Sequence, residues 1–424
     1  MNKLLRTIVV DLTPVLPGGE NGGAKVFVLE LLRRLAEIAP RTQFVLLTHA
    51  ATDQELSLLD CPNMRRLLVV GLPENESARQ SLPDLLFRIG SYLPGRLIAA
   101  LRHLDHRVIS TLRALRARSL LRGLNADLLF VPFTAPFYYA SGIPTVCTIY
   151  DLQYRAYPEF FTIEDLSHRN RAFTEACRVA SALAAISNYV RDSAIAHGSV
   201  DPTRIRTIYL RLAQRIASVG KHDYGVLRRL GLPMERYLIY PANFWKHKNH
   251  ERLIAAFDLA THGRMATDVK LVCTGSPGKR QGELIDVVRT MGLGERVLFP
   301  GYLSDADLGV LMASSRGVVF PSLYEGFGLP VLEAMAAGIP VACSNTTALS
   351  EVVAKAAIFF DPYVPAQIAD AMVTLVGNVA QRDRLIRAGR QRALEFSDSE
   401  RMAREYWELF LYAHDNATAS QHVW

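Results

Sequence analysis

The chain alternates short apolar runs with longer segments whose apolar residues recur at helical spacing. Thr7-Ile8-Val9-Val10-Asp11 predicts a strand, and a loop from Leu12 to Ala24 follows with Gly18, Gly19, Gly22 and Gly23. Val26, Leu29, Leu32 and Leu35 then mark one face of a helix whose other face carries Arg33 and Arg34. Phe44 to Thr48 predicts the next strand. A strand–helix–strand opening of this kind predicts a parallel sheet. Asp127 to Phe133 and Pro144 to Asp151 read as two more of its strands. A helix is expected from Ile163 through Ala182. The strand Ala184-Ala185-Ile186-Ser187 then ends at a serine N-cap, and a helix runs from Asn188 to His197. This first domain is expected over 1–210. Residues 211–235 read as a polar, basic connector with few anchors.

The alternation restarts at Tyr237-Leu238-Ile239-Tyr240 and predicts a second domain over 236–395. The loop Pro241 to His250 leads into a helix carrying Leu253, Ala256 and Phe257. Val269 to Thr274, Val297 to Phe299, Gly317 to Phe320 and Phe359 to Pro362 read as further strands. A last helix, about Asp398 to His414, carries Met402, Tyr406, Leu409 and Phe410 on one face, within a C-terminal segment 396–424.

Composition narrows this picture. Half of the 424 residues are hydrophobic, which is ample for large cores. The net charge of +7 fits an anionic partner without saying which. Five scattered cysteines, without metal or pairing spacing, fit a reduced, intracellular chain with buried thiols. Ile8-Val9-Val10 is too short for a signal-peptide core. The uncharged run Leu128 to Tyr150 is long enough to span a bilayer, but Pro132, Pro136, Gly142 and Pro144 break it into strand, loop, strand. Residues 76–123 differ. Arg88, Arg96, Arg102, Arg107, Arg113, Arg116, Arg118 and Arg122 are interleaved with Leu and Ile, which predicts a basic helical arm suited to an anionic membrane surface. A solvated helical face is the plainer alternative. The arm has no interleaved aromatics to stack bases, so no nucleic-acid partner is expected. His103 and His106 have no Glu or Cys beside them to complete a metal site.

The chemistry concentrates in Phe320-Pro321-Ser322-Leu323-Tyr324-Glu325-Gly326-Phe327-Gly328-Leu329-Pro330-Val331-Leu332-Glu333. Two carboxylates stand eight positions apart around a glycine-rich turn. The turn joins a strand's carboxyl end to a helix with Pro330 in its first turn. Ligands of doubly wound sheets bind at such a place. Helix-start N–H groups suit a phosphate, and carboxylates suit sugar or ribose hydroxyls. A phosphorylated sugar or nucleotide is the inferred ligand.

This stretch resembles the signature of family 4 retaining glycosyltransferases: Glu, seven residues, Glu, with Gly-Phe-Gly-Leu inside. Ala334 to Val341 and Glu351 before an apolar pair resemble it too. The resemblance implies an α/β GT-B fold, with two Rossmann-like domains whose parallel sheets face across a cleft and a C-terminal helix crossing back to the first. The first domain would hold the acceptor. The second would hold a nucleotide-sugar, GDP- or UDP-linked. Glu325 resembles the acid near the donor sugar, and Glu333 the acid on the ribose. The backbone of Gly326, Phe327, Gly328 and Leu329 would face the phosphates and sugar. Phe299 and Tyr302 would border the base, near Gly275. Lys248 stands where the family has its phosphate-binding lysine. Asn243 stands where many members have arginine, so Lys246 is expected to compensate. Gly22 and Gly23 fall in the family's glycine-rich loop, although the loop lacks G-x-G-x-x-G spacing. Tyr150-Asp151 replaces the family's His-Asp. A tyrosine, with a reference pKa of about 10, is a poor base near neutrality. Asp151 bears the role, or the histidine is dispensable, or activity is altered.

Stabilising a leaving diphosphate needs cations or oriented N–H groups. Asp305-Ala306-Asp307 has the form of a metal-binding pair. Behind Ser304, however, it reads as the capped first turn of a helix. No metal or cofactor is therefore expected. The expected activity is retaining hexosyl transfer (mannose, glucose or similar) to a lipid-linked or polysaccharide acceptor of O-antigen, capsule or exopolysaccharide synthesis. The expected location is the cytoplasm, at the inner face of the cell membrane. A nucleotide-sugar epimerase, a soluble disaccharide synthase and a non-catalytic nucleotide-sugar-binding partner subunit stay open, as does oligomeric state. Replacing Arg107, Arg113, Arg116 and Arg118 with Glu is expected to abolish co-sedimentation with anionic vesicles. Unchanged binding would remove the membrane role from the arm.

Overall fold

The computed structural model describes residues 5–18, 21–71, 115–211 and 224–420. Most of the basic arm, 76–114, therefore lies outside the described residues. Residues 115–123 are helical, with Ala117 and Leu121 buried and Arg116, Arg118 and Arg122 exposed.

Among the described residues two parallel sheets form. The first holds β1 (Thr7–Asp11), β2 (Gln43–His49), β3 (Met64–Val70), β4 (Leu128–Val131), β5 (Thr145–Ile149), β6 (Ala182–Ala185) and β7 (Ile205–Thr207), in the order β3-β2-β1-β4-β5-β6-β7. The second holds β8 (Tyr237–Pro241), β9 (Lys270–Thr274), β10 (Val297–Gly301), β11 (Gly317–Phe320), β12 (Val341–Ser344) and β13 (Ile358–Phe360), in the order β10-β9-β8-β11-β12-β13. Every pair is parallel. Strands covered on both faces must be apolar throughout. Accordingly β4, β5, β6, β8, β11 and β12 are buried along their whole length. Strand order reverses between β1 and β4 and between β8 and β11. Crevices open at those two points, beyond the strands' carboxyl ends.

The helix Ser399–Ser420 leaves the second half and packs on the first. Tyr406 is buried there against Phe27, Phe130 and Phe410, with its hydroxyl 3.2 Å from Thr148 Oγ1. Arg34 Nε donates to Ser399 Oγ at 3.1 Å. The expected two-sheet architecture and crossover helix are thus present.

Five features differ from the sequence reading. β3, β7 and β12 had no place in it. β3 carries Arg65 and Arg66 in its first half, and Arg66 is neutralised by Asp53 and Asp60. β7 is three residues long. Within the connector, Gly225–Leu230 forms a helix, which the sequence reading did not place, and buries Val226 and Leu227. Cys61 is exposed, whereas Cys147, Cys177, Cys273 and Cys343 are buried. The run from Leu128 to Tyr150 forms β4, a loop and β5. No helix among the described residues is long and apolar enough to cross a membrane.

Asp11 closes β1 at the first crevice and is 0% exposed. One carboxylate oxygen accepts from Thr13 N at 3.0 Å and Thr13 Oγ1 at 2.6 Å, while Oδ2 has no partner. Burial raises its pKa from 3.8 to about 6, against the opposing pull of the Thr13 bonds. The folded state therefore binds the proton more tightly than the unfolded chain. Its stability is unpenalised below pH 4, falls as pH rises toward 6, and carries the full cost above that. Two pH units correspond to roughly 3 kcal/mol. Asp11→Asn should raise the unfolding midpoint at pH 7.5 and flatten its decline between about pH 4 and 6. Thermal melts across that range check this, and an unchanged pH profile would refute it.

Candidate active site

The second crevice is built from the loops after β8 and β11. Lys246–Lys248 form one tight turn, ended by Asn249 in the left-handed region at φ 63°. The Asn249 amide donates to Pro321 O at 3.0 Å and Pro362 O at 2.9 Å, and Tyr240 OH donates to Lys248 O at 2.8 Å. Lys248 thus rises from a main chain pinned on both sides. Its ammonium lies 2.5 Å from Glu325 Oε1, and each side chain is only 12% exposed. The ammonium also lies 5.7 Å from the centre of the Phe320 ring.

Gly328, at φ 98°, opens the helix Leu329–Ala336, with Pro330 in its first turn. Only glycine holds that conformation cheaply, and a Cβ there would meet Leu349 at 2.6 Å. Glu333 lies within the helix at 1% exposure. One cation, two acids and a helix start therefore converge. Lys248 and the helix N–H groups can hold phosphate oxygens, and the carboxylates can accept from hydroxyls.

The first domain grips this turn along its length. Tyr157 OH donates to Leu323 O at 3.3 Å, and Leu152 N donates to Tyr324 OH at 3.2 Å. Ser187 Oγ donates to Gly326 O at 2.8 Å. The Tyr209 and Phe327 rings lie 6.4 Å apart. A Cβ on Gly326 would fall onto the carbonyl oxygen of Tyr150. Gly22 caps the helix Gly23–Ile38, and a Cβ on Gly23 would lie 3.5 Å from the Leu329 side chain of the other domain.

Asp151 accepts from Gln153 N at 3.1 Å. Burial pushes its carboxyl pKa up. The Gln153 bond and the charges of Arg169 and Lys248 pull it down, and Glu325 pushes it up. Asp151 therefore shares the electrostatic environment of the Lys248–Glu325 pair. Tyr150 behaves differently. Its ring packs edge-on to Phe27 and stacks on Phe133, at 6.0 and 6.3 Å. Its hydroxyl is buried without a partner, and burial holds the phenol well above its ordinary range. It is no base at neutral pH. Of the two, Asp151 is the one facing the cations.

The remaining residues divide. Asn243 Oδ1 accepts from Ser276 N at 2.9 Å, and a Cβ on Gly275 would meet Ala242 O at 2.6 Å. Asn243 and Gly275 therefore lock two loops together. Phe299 packs on Phe244 at 5.8 Å. Lys246 and Tyr302 project outward, Tyr302 at 60% exposure. Ser304 Oγ accepts from Asp307 N at 3.1 Å, and Asp307 also meets Arg229. The Asp305-Ala306-Asp307 run is thus a helix start. No group of three His, Cys, Asp or Glu able to hold a metal occurs among the described residues.

Two buried histidines escaped the sequence reading. Burial first, then Lys248, lowers His247 to about 2 and His250 to about 3. Both are neutral wedges, and the His247 carbonyl accepts from Leu323 N at 2.7 Å. Their only signal was that they flank Lys248.

Two facing Rossmann-like sheets with a cation, a helix start and paired acids in the cleft define a GT-B glycosyltransferase. The solved structure of Anabaena Alr3699/HepE in complex with UDP and glucose superposes with a TM-score of 0.67 at 18% identity, covering 95% of this chain and 98% of that one. Residues 228–392 match the family model for glycosyl transferases group 1, and residues 21–210 match that for Glycosyltransferase Family 4. O-antigen chain mannosyltransferase B of Escherichia coli is 30% identical over 272 residues, 63% of this chain and 70% of that relative. Serotype-specific mannosyltransferase WbdA of Escherichia coli is 28% identical over 242 residues, spanning 53% of this chain but 28% of its own length. The chain belongs to the family 4, group 1 glycosyltransferases.

Gly326→Ala should leave both sheets folded but displace the turn from Tyr150. Turnover is expected to fall on the order of 100-fold, with circular dichroism unchanged. Near-normal turnover would show that this close contact is unimportant.

Proposed function

We propose that the protein moves a hexosyl unit from a nucleotide-sugar to a lipid-linked or polysaccharide acceptor, with retention at the anomeric carbon and without a metal. The observation that carries this reading is the Lys248–Glu325 pair at the start of the helix that buries Glu333. Lys248 and the N–H groups at Leu329 take the diphosphate, and Glu333 takes the ribose. Glu325 and Asp151 face the sugar and the reacting carbon. A phosphate oxygen would compete with Glu325 for the Lys248 ammonium, freeing Glu325 to accept from a sugar hydroxyl. The bond from the anomeric carbon to the diphosphate breaks as the acceptor oxygen bonds to the same face. The acceptor's proton passes to the departing phosphate oxygen, and the cations and helix start balance the charge that develops.

Mannose from a GDP-linked donor is the first sugar to test, because two relatives are named mannosyltransferases. A UDP-linked donor is the second, because a structural neighbour holds UDP and glucose. The acceptor belongs to the first domain and its arm, which would rest against the inner face of the membrane. Tyr150 supports one other reading, a non-catalytic nucleotide-sugar-binding subunit, since its hydroxyl is turned into a Phe27–Phe133 cluster.

Thermal shift against GDP, UDP, GDP-mannose and UDP-glucose tests the donor site. A ligand at 100 times its Kd should stabilise the protein by about 2.7 kcal/mol. One base should do so, and Lys248→Ala and Glu333→Ala should each abolish the effect. No shift with any ligand would defeat the donor site. Binding without transfer to lipid-linked acceptors would favour the non-catalytic reading.

A further inference from the structure

Glu351 lies in the short helix Thr347–Val353 of the second domain, yet its carboxylate caps a helix of the first. Oε1 accepts from Asn188 N at 2.9 Å and Oε2 from Tyr189 N at 3.1 Å. Those are the first two N–H groups of the helix Asn188–Gly198, which has no carbonyl of its own to offer them. The third, Val190 N, donates to Ser187 Oγ at 3.2 Å. Tyr209 OH donates to Glu351 Oε1 at 2.5 Å and accepts from the Asn188 amide at 2.7 Å. Burial, and then the Glu351 bond, keeps that phenol protonated. A negative carboxylate at a helix start also gains from the helix dipole.

The short helix that carries Glu351 is held at its other end by the donor turn. Glu325 N donates to Thr347 Oγ1 at 3.1 Å, and Ala348 N donates to Glu325 O at 3.4 Å. Leu349 is the side chain against Gly328. Arg392 fixes the Glu351 and Val352 carbonyls, each at 2.8 Å. One rigid strut therefore runs from Glu325 and Gly328 to the first domain's helix. Ser187 supplies a parallel link, because the hydroxyl that caps this helix also donates to Gly326 O at 2.8 Å. When the domains part, Asn188 and Tyr189 lose their acceptor and Gly326 loses its donor together.

We propose that Glu351 and Ser187 are positioning residues that tie the closed arrangement of the two domains to the geometry of the Glu325–Gly328 turn. Neither is placed to touch the reacting atoms. The catalytic consequence rests on the transferase reading above, whereas the domain link does not.

The test uses the full-length protein and its Glu351→Gln, Glu351→Ala and Ser187→Ala variants. Small-angle scattering without ligand reads the domain link alone. The radius of gyration should rise in Glu351→Ala and rise less in Glu351→Gln, whose amide keeps one acceptor oxygen. Nucleoside-diphosphate affinity should stay within about threefold of wild type, since Lys248 and Glu333 are intact, while kcat falls at least about tenfold in Glu351→Ala and is partly rescued in Glu351→Gln. Ser187→Ala should show the same split between kcat and donor affinity. An unchanged radius of gyration in Glu351→Ala, or a full kcat, overturns the proposal. So does a loss of kcat that follows only a lower melting temperature in all three variants. If wild type binds no nucleotide while the scattering shift persists, the transferase reading fails and the domain link stands.

Discussion

A backbone carbonyl decides much of this structure. The oxygen of Tyr150 occupies the space that any side chain at position 326 would need, so at this point the two domains meet main chain to main chain. That contact brings β5 of the first sheet within reach of the turn after β11 in the second. Once they are that close, Ser187 can reach Gly326, Leu152 can reach Tyr324 and Tyr157 can reach Leu323. The glycine-rich turn after β11 is then a shared element of both domains. Its shape is set as much by residues from 150 to 209 as by its own glycines.

The electrostatics follow from that meeting. Lys248 and Glu325 sit in a site with little water, where a pair 2.5 Å apart interacts far more strongly than at the surface. Asp151 enters the same environment from the opposite domain, and its carboxyl feels both members of the pair. Burial raises the pKa of the Asp151 carboxyl, and cations oppose that rise. Those cations are Arg169 and Lys248, so the second domain's lysine also serves the first domain's acid. Tyr150, the residue next to Asp151, is excluded from this exchange because its ring is committed to Phe27 and Phe133.

The elements with strong local signals were legible beforehand. β1, β8 and β11 are apolar runs bounded by turn residues, and Ser187 and Ser304 are caps whose side chains make the expected bonds. The glycine-rich turn and the two glutamates marked the crevice beyond β8 and β11. What escaped were elements stabilised mainly by neighbours. β3 carries two adjacent arginines, and it holds its place beside β2 while Asp53 and Asp60 neutralise Arg66. The helix Gly225–Leu230 looked like connector because it is six residues long, with Arg228 and Arg229 directly after the buried Val226 and Leu227. Nor did the sequence show that the Asn243 side-chain oxygen accepts from Ser276 N across two loops.

Local pattern was enough to determine that this chain forms two parallel α/β units and that a glycine-rich turn flanked by two glutamates opens the helix after β11. Those properties depend on hydrophobic spacing, glycine conformation and helix-end N–H groups, all of which are encoded within a dozen neighbouring residues. Which side chains share the cleft was decided only by the tertiary structure. Glu351 reaches a helix more than 160 positions earlier in the chain, and Asp151 lies beside a pair from the other domain. Such contacts depend on how two separately folded sheets dock. That docking turns on a carbonyl, a glycine and a buried tyrosine in the last helix, and no periodicity in the sequence records it.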